Sequence, residues 1–146
     1  MAKLKYAFKT DEKKSAKTSA RNNRISWKDS VEICRVITGK NVNKMINYLT
    51  DVTLMKTAIP YKRFNKDLAH KKGIAAGKYP INTSKEFIKL LKNLINNADN
   101  KGLDTENLTI INAQANKGVT HMRGARMFGR RKSKSSNINI IAEERI

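Results

Sequence analysis

The chain has one cysteine, two histidines and twelve acidic residues in 146 positions, and each scarcity removes a class of chemistry. Cys34 alone cannot form an intramolecular disulfide, and with His70 and His121 as the only imidazoles there is no metal-ligand cluster, so no cofactor is expected. A reducing, intracellular home follows. Both histidines lie among cations, without a local carboxylate to orient the ring as a general base. The acids are dispersed, and the adjacent pairs Asp11-Glu12 and Glu143-Glu144 read as solvated surface. Cys34 sits on an apolar stripe beside Ile33 and Ile37, as a core thiol does. Nothing here spells an enzyme. No stretch approaches the roughly 18 apolar residues of a membrane span. The segment Met1 to Arg24 scatters eight Lys and Arg without the apolar run of a secretory signal. The expectation is a soluble protein that stays where it is made, with no membrane partner.

What is abundant is positive charge: 31 Lys and Arg against 12 Asp and Glu leave a formal net charge of +19. That is far beyond the excess that keeps a small domain soluble, and it calls for a polyanionic partner. Nucleic acid, an anionic membrane and an acidic protein all qualify by charge. The cations are not gathered on one face of an apolar-backed helix, which argues against the membrane. The length suits one domain, 1–146, with a basic N-terminal segment (1–24) as an extension.

Hydrophobic periodicity gives the elements. Leu4, Tyr6 and Phe8 alternate with Lys3, Lys5 and Lys9, the period of a half-buried strand. Thr10 to Asn23 reads as loop or exposed helix. Val31, Ile33, Cys34 and Ile37 predict a short amphipathic helix capped by Ser26 and stopped by Gly39. Asn41 starts a second, with Val42, Met45, Ile46, Leu49 and Val52 on one face. Ile59 to Pro80 holds both prolines and reads as a basic loop. The third helix has Thr83 and Glu86 as a capping box, a stripe of Phe87, Ile88, Leu91, Leu94, Ile95 and Ala98, and Gly102 as its stop. Leu108 to Ala113 and Ile138 to Ala142 are short, β-branched strands expected to pair antiparallel. The fold class is α+β: three helices packed on a small antiparallel sheet.

Between those last strands lie 24 residues, Gln114 to Asn137, where hairpin loops usually run about 2–5. The reading is a long protruding β-hairpin arm (114–137). No acid falls between Lys117 and Lys132, and Val119, Met122, Met127 and Phe128 are too few for a second core, so the arm would order against a partner. Folded RNA supplies both the negative charge and the surfaces. The alternative is a solvated basic loop that binds anions without structure. A helix-turn-helix, with the second helix reading DNA, is weaker, because that helix offers little besides Asn43, Lys44 and Asn47 outside its apolar face.

Three stretches resemble a known family, the universal large-subunit ribosomal protein twenty-two, called seventeen in eukaryotes. They are Arg24-Ile25-Ser26-Trp27-Lys28 running to Ile37-Thr38-Gly39-Lys40; Ile59-Pro60-Tyr61-Lys62-Arg63-Phe64-Asn65 with Ala76-Gly77-Lys78-Tyr79-Pro80; and Asn97 to Asp104 with Arg126-Met127-Phe128-Gly129-Arg130. The middle stretch is similar to archaeal and eukaryotic-type members. The resemblance implies a cytoplasmic constituent of the large ribosomal subunit that binds large-subunit rRNA, supports assembly and lines the nascent-peptide exit tunnel. Its partners would be that rRNA, neighbouring ribosomal proteins and the nascent peptide, with no homo-oligomer. The RNA-binding residues expected are Arg24, Lys28, Lys40, Lys62, Arg63, His70, Lys71, Lys72, Lys78, Tyr79, Lys117, Arg123, Arg126, Arg130, Arg131 and Lys132. His121, Met122, Arg123, Gly124 and Ala125 would form the tunnel-lining tip. A nonribosomal RNA- or DNA-binding architectural or chaperone protein is the alternative, since it needs only the charge.

Overall fold

Strand β1 (Ser15–Asn23) occupies sequence that lacks any apolar alternation. It replaces the loop or exposed helix expected between Thr10 and Asn23. The computed structural model describes residue 6, residue 8, residues 10–124 and residues 129–144. Ala16 and Thr18 are buried on the core face of β1, where small side chains let helix α3 (Ile81–Asp99) lie close, and Ser15 is buried on the reverse face, its hydroxyl donating to the Asp11 carbonyl at 2.7 Å. The strand expected over Lys3 to Lys9 falls outside the described residues apart from Tyr6 and Phe8.

The central sheet has the order β1-β8-β5, where β5 is Leu108–Lys117 and β8 is Ser136–Glu144. Both pairings are antiparallel, as expected for β5 and β8. Ile138, Ile140 and Ala142 of β8 point into the core, while Asn139 and Ile141 turn to the reverse face, where they border Tyr6 and Phe8.

Helix α1 (Trp27–Ile37) begins as predicted, with Ser26 as N-cap accepting from the Asp29 N–H at 3.4 Å. Gly39, at φ +81, turns the chain beyond its end. Its N–H then bonds the Ile110 carbonyl at 2.7 Å, tying the turn to β5. Helix α2 (Val42–Thr53) is capped by the Asn41 side chain, which accepts from Asn43 and Lys44 N–H groups. Its buried face of Val42, Met45, Leu49 and Val52 packs chiefly on α3. α1 and α3 cover the sheet at opposite edges, β5 and β1.

The third helix begins earlier than its sequence signal. Pro80 is its N-cap and no side chain caps it, so Thr83 and Glu86 do not form the capping box. Pro80 fixes the turn into the helix, and Thr83 is buried within its first turn. Gly102, at φ +69, follows the end, and the Leu103 N–H closes back on the Ala98 carbonyl at 3.1 Å.

The stretch read as a basic loop is more ordered than that. It contains β2 (Ile59–Pro60), β3 (His70–Lys71) and β4 (Ala75–Lys78) in a second small sheet, order β2-β4-β3. Its anchor is Glu32, fully buried on α1. The carboxylate accepts the backbone N–H groups of Lys62 (3.2 Å), Arg63 (2.8 Å) and Phe64 (2.9 Å). Those three donors have no strand partner, and one carboxylate satisfies them all.

The hairpin continues past β5 and β8. β6 (His121–Gly124) pairs antiparallel with β7 (Arg130–Ser133). From Lys117↔Ser136 to His121↔Ser133 the first side advances four residues and the second three, so the connection is bulged. Within it the Gly118 N–H bonds the Ser135 carbonyl at 2.9 Å and the Ser135 hydroxyl donates to the Val119 carbonyl at 2.6 Å. A side chain at Gly118 would collide with Ser135 Oγ and lie 3.1 Å from Asn22 Oδ1, so glycine fits there for space.

Candidate nucleic-acid interface

The cations gather where the hairpin leaves the helices. Ser26, Trp27 and Lys28 at the start of α1 border a hollow of about 240 Å³ with Lys117, Thr120, Lys134 and Ser135. A second hollow of about 340 Å³ lies between Arg24, Asp29, Asn82, Lys132 and Lys134. Arg24, Lys28, Lys117 and Lys132, far apart in sequence, thus share the root of the hairpin. All four are exposed. Lys134, absent from the sequence expectation, joins them because the chain from Ser133 to Ser136 runs beside the residues that lead into α1, where the Ser136 hydroxyl donates to the Ile25 carbonyl at 3.1 Å.

A third hollow of about 470 Å³ is built around Phe64, half-buried and edge-on to Trp27 with ring centres 5.4 Å apart. Lys28 Nζ lies 5.7 Å and Arg63 Cζ 5.5 Å from the centre of the Phe64 ring. Stacked in this way the cations keep their charge toward solvent while their stems cover the aromatic. Lys78 is held differently: its Nζ is 3.4 Å from Asp29 Oδ1, which also accepts the Tyr61 hydroxyl at 2.9 Å. Burial, then the negative charge of Asp29 and this hydrogen bond, raise the Tyr61 pKa well above that of a free phenol. Lys71 lies over Tyr79 at 5.3 Å on the small sheet. Lys40, over Tyr48 at 5.8 Å, stands apart at the turn between α1 and α2.

His121, Met122, Arg123 and Gly124 of the expected tip are exposed on β6, across from β7. Ala125 and Arg126 lie outside the described residues, as do the side chains of Arg130 and Arg131. Lys62, His70 and Lys72 are exposed on or beside the small sheet. Cys34 is buried, and desolvation pushes its thiol up to about 12, which agrees with its reading as core. Among the described residues no group of three His, Cys, Asp or Glu could hold a metal ion, and no helix is long and apolar enough to cross a membrane.

The cation-lined hollows offer phosphate contacts beside aromatic rings, the pairing that single-stranded and irregular RNA recruits. Residues 18–143 match the family described as Ribosomal protein L22p/L17e. The chain belongs to this family. It is 44% identical over 153 aligned positions to Large ribosomal subunit protein uL22 of Archaeoglobus fulgidus, covering 99% of each chain. Proteins of the same name from Methanococcus aeolicus and Methanoregula boonei are each 40% identical, again with 99% of both chains covered. The structure gives roles to residues that charge alone did not single out. Trp27 and Phe64 fall inside the resembling stretches yet carry no charge, and Glu32 and Asp29 carry the wrong sign. Their roles depend on which neighbour lies across a tertiary contact, which no local pattern encodes.

Proposed function

We propose that the chain is a structural constituent of the large ribosomal subunit in the cytoplasm, held there by large-subunit rRNA, with no catalytic role of its own. The observation that carries this reading is the full-length similarity to archaeal uL22 proteins, joined to a cation-lined hairpin root with no acid among residues 117–134. Segment 114–137 serves as the arm that enters folded RNA, with the residues from His121 to Ala125 near the exit-tunnel wall and within reach of the nascent peptide. Arg24, Lys28, Lys117, Arg123 and Lys132 bind rRNA at its root and shaft, and Arg126, Arg130 and Arg131 toward its tip. Lys40, Lys62, Arg63, His70, Lys71, Lys72, Lys78 and Tyr79 bind on the globular part, 1–113, which also meets neighbouring ribosomal proteins. The chain acts as a single copy and supports assembly by tying RNA segments to one rigid body.

Sedimentation tests this directly. In lysate gradients at moderate salt the protein should travel with the large subunit and crosslink to a limited tract of large-subunit RNA. Free migration, small-subunit association or crosslinks spread over many RNAs or DNA would return the protein to the nonribosomal alternative.

A further inference from the structure

The outer edge of β5 and the flank of α1 enclose a groove of about 650 Å³, and we infer that it takes one unpaired RNA nucleotide, its base against Trp27 and its phosphates on Arg35, Arg63 and Lys117. This rests on the RNA-binding reading above and assigns it a specific place. The volume lies within the range of pockets that hold small organic groups. Val31, Cys34, Ala113 and Ala115 supply the apolar part of the lining, and Thr38, Gln114 and Asn116 stand beside them as polar groups. Trp27 stands as a wall, fixed on two sides: its indole N–H donates to the Ala115 carbonyl at 3.1 Å, and Phe64 packs against the ring. A ring already immobilised loses little entropy when a base stacks on it.

The rim supplies charge complementarity. Arg35, Arg63 and Lys117 are exposed, and no acidic residue lines the groove. The wall of β5 supplies hydrogen bonds. The turn at Gly39 and Lys40 covers this edge as far as Ile110, and beyond it no further strand lies alongside among the described residues. Because the Ala115 carbonyl faces outward to Trp27, alternation along the strand turns the backbone groups of Ala113 and Lys117 the same way. Such groups can pair with the exposed edge of an extruded base. An added peptide strand fits less well, since Trp27 already occupies the acceptor at the middle of the edge and the surrounding charge favours a phosphate backbone.

Trp27 is the chain's one tryptophan, so its fluorescence reports on the groove. The full chain is titrated with a single-stranded RNA of about nine nucleotides and with the same RNA as a duplex, binding being followed separately by anisotropy. The single strand should quench Trp27 saturably by roughly half or more, while the duplex binds without comparable quenching. Arg35→Gln, or independently Arg63→Gln, should weaken the quenching titration about tenfold, whereas Lys92→Gln, an exposed charge on α3, should change it less than about twofold. Equal quenching by duplex, or equal losses from Arg35→Gln and Lys92→Gln, would overturn the groove assignment. A chain that sediments with the large subunit but shows no single-strand quenching sinks the groove alone. Quenching by a chain that never enters the subunit sinks the ribosomal reading alone.

Discussion

Glu32 gives its carboxylate to three backbone N–H groups, and among the described residues no Lys or Arg side chain pairs with it. That choice fixes the loop from which Arg63 and Phe64 project. Replacing Glu32 by Ala removes every acceptor and should cost about 2–4 kcal/mol. Glu32→Gln, which keeps one carbonyl oxygen, should cost about 1–2 kcal/mol. Urea titrations at fixed ionic strength measure both, and equal losses would contradict this account of the loop. Asp29, Tyr61 and Cys34 set a second residue-scale expectation, in alkali. Burial raises the pKa of both Cys34 and Tyr61, so in this range the folded chain retains protons that the unfolded chain gives up. Their contribution is therefore whole below about pH 9 and declines as pH rises beyond it, by about 1.4 kcal/mol per pH unit for each group once its unfolded form has ionised. Tyr61→Phe should lower stability at neutral pH through the lost bond to Asp29, and flatten the loss above about pH 10 relative to the parent chain. A parallel pair of pH profiles would show that Tyr61 is not protected as its contacts imply.

At the scale of elements, the hairpin root depends on the absence of a side chain at Gly118. Gly118→Ala should push Ser135 and β7 outward, lower stability by about 1–3 kcal/mol and speed amide exchange in β6 and β7 more than in β5. Adding Ser135→Ala removes the colliding oxygen and should restore part of that loss, though the Ser135 backbone carbon, 3.1 Å away, keeps it partial. Unchanged exchange in β6 and β7 would mean that they do not register the crowding at the root. The elements that sequence revealed are those whose stabilising pattern is local. Ser26, Asn41 and Gly39 announce helix ends because capping acts within three or four residues, and the stripe from Phe87 to Ala98 announces its buried face. β1 stayed hidden because Ala16, Thr18 and Ala20 on its core face suit the space beneath α3 by smallness, not by hydrophobicity. The small β2-β4-β3 sheet stayed hidden because strands of two to four residues leave no period, and its anchor lies about thirty residues upstream at Glu32. Thr83 misled because a capping box is also simply a threonine three residues before a glutamate, and Pro80 had already begun the helix. The candidate site was legible as charge along residues 117–132, but not as hollows. Those required Trp27, Phe64 and Lys134 to be brought together by folding.

For the whole molecule the net charge of +19 acts in opposite directions on folding and on binding. Free in solution, the exposed cations gathered at the hairpin root, Lys28, Lys117, Lys132 and Lys134, repel one another. Added salt screens that repulsion within a Debye length of about 10 Å at 0.1 M, so the melting temperature of the free chain should rise between low and moderate ionic strength. The same salt competes with the release of counterions from RNA, so affinity should fall steeply, with log K linear in log salt concentration. Replacing one cation of the proposed RNA-binding set by Gln, for example Lys28 or Lys132, should lower the magnitude of that slope by about 1 and weaken binding across RNA sequences alike. Lys92→Gln, midway along α3, should leave the slope unchanged. Calorimetry of the free chain and filter binding to large-subunit RNA across one salt series measure both quantities. If stability and affinity fell together, the hairpin charge would not be the source of the first effect. If Lys92→Gln lowered the slope as much as Lys28→Gln, the phosphates would be bound by the whole surface rather than at the hairpin root.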